Sequence, residues 1–104
     1  MAVSPLQIKA YRDFWDFPRL FIIELNDGNL LLFDCKFNDE TEDYDDVFQV
    51  YLIPPIGDEE MLGSWANLSM KAIRYVGEVG INELRFDDTK RKYIDDAILD
   101  FFSP

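Results

Sequence analysis

Two apolar runs, residues 20–25 and 30–37, flank the tetrapeptide Asn26-Asp27-Gly28-Asn29, and this pattern limits the chain more than any other. Asp-Gly accepts positive φ at low cost, so β-rich runs on either side of it read as an antiparallel hairpin. Pro18 stands just before the first run, where a strand can start without losing a ladder donor. A third strand is expected over residues 47–53, which alternate and are β-branched and aromatic, and it stops at Pro54-Pro55. Upstream, Leu6, Ile8 and Ala10 share one side of a period of two, which suits a leading strand.

The second half reads differently. Ser64 is placed to cap a helix running to Tyr75 or Val76, with Trp65, Leu68, Ala72 and Val76 on one face, Lys71 and Arg74 near its C-terminal end and Gly77 as its stop. A start at Asp58 would leave Gly63 as a weak point. Residues 81–86 suit a short strand. Asp87 or Asp88 then caps a last helix with the stripe Ile94, Ala97, Ile98 and Phe101. Strands followed by helix, strand and helix predict an α+β fold: a small, mainly antiparallel sheet with two helices packed on one face. The 104 residues suit a single domain, 1–104.

Charge narrows the function. With 21 acidic against 10 basic residues, the net charge is −11 and there is no histidine. Nucleic acid and anionic membrane surfaces should repel such a chain, so the expected partner is a basic protein. Six of the acids stand together in Asp39-Glu40-Thr41-Glu42-Asp43-Tyr44-Asp45-Asp46. Concentrating one sign costs self-repulsion, so the run is either a solvated loop or a surface for a positive partner. As a docking surface, Asp39, Glu40, Glu42, Asp43, Asp45 and Asp46 would supply the field, and Tyr44 contact area with a polar tip. An EF-hand calcium loop does not fit, which leaves a looser divalent site as a lesser reading. Counted from Asp39, position six is Tyr44 where an EF-hand needs Gly, and position twelve is Val50 where it needs Glu.

Catalytic patterns are missing, and the expectation is a binder without cofactor or metal, not an enzyme. Cys35 is the lone cysteine and sits in a strand-like run with no histidine to serve it, so it reads as a small core residue. Neighbours Asp95 and Asp96 cannot face one substrate from a helix, and Asp87 with Asp88 suits capping. The basic cluster Arg85, Lys90, Arg91 and Lys92 is expected to form local ion pairs with the acids of the last helix. Among Tyr11, Phe14, Trp15 and Phe17, core packing is expected for most, with some left exposed as an anchor. No run approaches the roughly 18 apolar residues of a membrane span. Met1-Ala2-Val3-Ser4-Pro5 carries no leader pattern, so a cytoplasmic location is expected. An alternative role is a structural or adaptor subunit that oligomerises through the edge of the hairpin over residues 14–37, and a lesser one a carboxylate-based or divalent-metal enzyme.

Phe17-Pro18-Arg19, the Asp27-Gly28 turn, Phe37 followed by acids up to Tyr44, Gly63-Ser64-Trp65 and Arg85-Phe86-Asp87 together resemble the layout of small acidic bacterial immunity-type proteins from toxin–immunity neighbourhoods. That resemblance implies an inhibitor made beside a toxin, often a nuclease, which occludes a basic active site with carboxylates. It carries over no catalytic residue. The charge alone would equally suit other acidic inhibitors, such as phage-encoded mimics of nucleic acid.

Overall fold

The hairpin forms as its sequence dictates. Strands β2 (Pro18–Glu24) and β3 (Leu30–Asp34) pair antiparallel from Leu20↔Asp34 to Glu24↔Leu30. Gly28 takes φ +90° in the turn, and Asp27 Oδ1 accepts the Asn29 N–H at 2.9 Å. These details come from a computed structural model that describes residues 5–25, 27–63, 65, 67–95 and 98.

Around this hairpin lie β1 (Pro5–Phe14), β6 (Val47–Ile53), β7 (Arg74–Gly80) and β8 (Tyr93–Asp95), giving one six-stranded sheet in the order β7-β6-β3-β2-β1-β8. Every pairing in it is antiparallel. Two further strands, β4 (Phe37–Asn38) and β5 (Asp43–Tyr44), form a separate two-stranded ribbon within the connection from β3 to β6.

Residues Phe21, Ile22 and Ile23 of β2 and Leu30 to Phe33 of β3 are all buried, because both faces of the sheet are covered. On the first face, Phe21, Ile23, Phe33, Phe48, Val50 and Val79 pack with Leu84, Ile94 and Ile98 from the returning C-terminal segment. At its centre the rings of Phe21 and Phe33 stack at 4.7 Å and Phe48 meets Phe21 edge-on at 5.4 Å. The second face buries Ile22, Leu30, Leu32 and Ile53 under Met61, Trp65 and Leu68. Each fully buried side chain of this size contributes about 1.5–3 kcal/mol, so the central strands dominate stability.

The expected α+β layering is therefore incorrect. Of the described residues 49% are in strands and 14% in helical turns, and among them no pair of helices packs on one face. Instead of a helix from Ser64, the chain makes a short helix α1 (Asp58–Leu62), a 3-10 turn over Leu68–Lys71 and then strand β7. Ser64 itself lies outside the described residues. The apolar spacing of Trp65 and Leu68 is real, but it lays a cover over the sheet without a continuous helix. Residues after Ile73 join the open side of β6, where cross-strand pairing outweighs the local 3.6 period. Gly77 does adopt positive φ, +149°, but inside β7, beside the irregularity opposite Val50 and Tyr51. Residues 81–86 give a 3-10 turn (Ile81–Glu83) and a single bridge from Phe86 to Ile94, not a strand of their own. The last helix is also corrected: residues 87–92 are loop and 93–95 are β8, while Ala97 and Phe101 lie outside the described residues.

The topology also removes the edge on which an adaptor role depended. Strand β2 is paired by β1 and β3, and β3 by β2 and β6, so the hairpin is interior and offers no open ladder to a second copy.

Candidate docking surface

The acidic run is folded. In the ribbon Phe37 faces Tyr44 and Asn38 faces Asp43, leaving Asp39 to Glu42 as its tip. Asn38 Oδ1 accepts the N–H of Glu40 at 2.9 Å and of Thr41 at 3.4 Å, which closes the turn, and Glu42 adopts φ +54° at its end. Asp39, Glu40, Glu42, Asp43 and Asp46 are exposed, whereas Asp45 and Tyr44 are half-buried. Asp45 is an anchor through its backbone: its N–H donates to Lys36 O at 2.8 Å and its carbonyl accepts the Cys35 thiol at 3.0 Å. Cys35 is buried, and burial pushes its thiol up against the opposing pull of the Arg19 guanidinium. That suits a structural cysteine.

Tyr44 joins the ribbon to the body. Its hydroxyl accepts the Trp15 indole N–H at 2.9 Å, and its ring meets Phe37 edge-on at 5.2 Å. Behind it the Arg19 guanidinium lies 4.8 Å from the Tyr44 ring and 4.1 Å from the Phe17 ring, and pairs with Asp16 at 3.0 Å. A cation between two ring faces, tied to a carboxylate, fixes the β1–β2 turn against the ribbon. Trp15 nevertheless remains 71% exposed and Phe37 53% exposed. The surface is thus two held, solvent-facing aromatics beside a hairpin of carboxylates. The sequence sets Phe37 and Tyr44 among the acids but does not bring Trp15 to them. The aromatic density before the hairpin was the available signal, and its link to residue 44 was not.

Of the other aromatics in that stretch, Tyr11, Phe14 and Phe17 are half-buried, with Phe17 stacked on Phe86 at 5.6 Å. In the basic cluster, Arg91 stacks over Phe14 at 4.2 Å, and Asp96 and Asp100, two of the acids expected to pair with it, lie outside the described residues. Asp87 caps no helix. Its carboxylate organises the loop before β8, accepting the N–H and hydroxyl of Thr89 and the N–H groups of Lys92 and Tyr93. Those bonds, the Thr89 hydroxyl foremost, bring it down to about 2.

Among the described residues no three acidic or cysteine side chains converge as a metal site would require, and no helix is long and apolar enough to cross a membrane. No known protein family, curated protein or solved structure matches this chain.

Proposed function

We propose that this chain is an acidic protein-binding module that docks a basic partner through the ribbon and the aromatics beside it. The exposure of Trp15 carries the reading. A tryptophan left 71% exposed, yet held by a hydrogen bond to Tyr44, is ordered before any partner arrives. Aromatic anchors ringed by charge are the groups that contribute most at interfaces, and preordering reduces the entropy lost on binding. Carboxylates at 39, 40, 42, 43 and 46 would speed the encounter and select for positive partners. The sharpest version is an immunity-type antagonist that covers the basic active site of a toxin or nuclease.

The test is site-specific photo-cross-linking in the native cell, with the cross-linker replacing Trp15 and, separately, Met70, which is 82% exposed on the 3-10 turn over Leu68–Lys71. Capture of a basic protein from position 15 and not from position 70 supports the module. Equal capture from both positions, or capture of acidic proteins from position 15, refutes it.

A further inference from the structure

Neighbouring residues of a strand normally point to opposite faces, yet Arg12 and Asp13 of β1 line the same cavity. Asp13 is the cause. Its φ of +56° lies in the left-handed region, although the register with β2 on either side, Arg12↔Leu20 and Phe14↔Pro18, runs without a shift. With the flip, Phe14 packs 5.7 Å from Tyr11, and the exposed Asp13 lines the cavity together with Arg12. Asp is among the residues that tolerate this backbone, but the conformation still stores strain, which recurs at ligand sites.

The cavity measures about 380 Å³ and lies where the second face of the sheet meets its cover, over a floor of Leu20, Leu32 and Trp65. Two of its charges cancel, since Lys36 pairs with Asp34 at 3.0 Å. The other two, Arg12 and Asp13, are not joined in an ion pair among the described residues. The half-buried Arg12 guanidinium donates to the Tyr11 carbonyl at 2.8 Å and to that of Met61, and stacks 4.5 Å from the Trp65 ring. Neutral carbonyls fix its position without neutralising it, and these bonds occupy two of its five N–H donors. The ion pairs among the described residues, formed at 4.0 Å or less, include neither Arg12 nor Asp13. A partly desolvated guanidinium held by neutral carbonyls attracts an anion, and a carboxylate at the rim of the same cavity attracts a cation.

We propose that this cavity binds a free α-amino acid. Its carboxylate meets Arg12, its ammonium meets Asp13, and its side chain lies over Leu20, Leu32 and Trp65. The volume falls at the small end of the roughly 300–1,000 Å³ used by small-molecule sites. The carboxylates of the ribbon play no part, so this site stands or falls independently of the docking reading.

The experiment is an amide NMR titration of the whole chain with each standard free L-amino acid at millimolar concentration, following Arg12, Asp13, Ser69 and the Trp65 indole N–H. At least one amino acid should shift these signals saturably. Its N-acetyl derivative, lacking the ammonium, and its C-terminal amide, lacking the carboxylate, should bind about tenfold more weakly or worse, as loss of a charge-assisted contact requires. Asp13→Asn keeps a residue suited to positive φ and should weaken binding to a similar degree. No shift at these signals with any amino acid, or equal binding by the acetylated derivative, overturns the proposal. The ligand derivatives act on the unaltered chain, so the result does not depend on how the variant folds.

Discussion

At the scale of single residues, the clearest electrostatic consequence belongs to Asp87. Its folded value of about 2 lies below the ordinary 3.8, so its ionised form is favoured by folding. That contribution is fully present above pH 3.8 and is lost as pH falls through about 2. Asp87→Asn should therefore flatten the acid limb of a stability–pH curve in that window, measured by denaturant titration at each pH, while the limb above it stays parallel to wild type. An unchanged acid limb would mean that the four donors seen around Asp87 do not hold it in solution. Trp15 gives the opposite kind of prediction. Because it is largely exposed, Trp15→Ala should change stability by less than about 1 kcal/mol, whereas Phe33→Ala, fully buried at the sheet centre, should cost about 3–5 kcal/mol. Thermal and urea melts of the two variants check this contrast. Trp15 was also where the sequence was least legible, because its hydrogen bond reaches a residue 29 positions away and no local pattern encodes such a contact.

At the scale of elements, the hairpin and β6 were legible because turn chemistry and period-two alternation agree with the pairing they enter. Over residues 64–76 local and non-local signals conflicted. Trp65, Leu68 and Ala72 carry a helical spacing, but β6 had an open side, and residues 74–80 satisfied it. A one-sided amphipathic pattern says that a segment covers something, not that it does so as a helix. The double burial of β2 and β3 had a sequence sign in their unbroken apolar runs, the signature of strands covered on both faces. At β7, Gly77→Ala should destabilise by about 1 kcal/mol or more, since no side chain approaches the position and φ of +149° alone opposes a Cβ. A melt showing no loss would mean that the irregularity in β7 relaxes freely. For the ribbon, replacing Asp39, Glu42, Asp43 and Asp46 with Asn or Gln should leave the melting temperature unchanged or slightly higher. These carboxylates are exposed, and removing like charge relieves repulsion.

For the whole molecule, net charge governs behaviour. At −11 the folded chain repels itself, and the exposed carboxylates at 39, 40, 42, 43 and 46 project from one region. Moderate salt, which shortens the screening length to about 8 Å at 0.15 M, should raise its melting temperature, as differential scanning calorimetry would detect. The same field should make partner capture salt-sensitive, because charges on a rim act chiefly on encounter. The most direct measurement of the central claim is the association rate of the captured partner across a salt series, for wild type and for the ribbon variant lacking the carboxylates of Asp39, Glu42, Asp43 and Asp46. Wild type should associate fastest at low salt and slow steeply as salt rises, while the variant should be slow at low salt and nearly flat. Equal rates at low salt, with equal slopes, would contradict the claim that this ribbon is the docking surface.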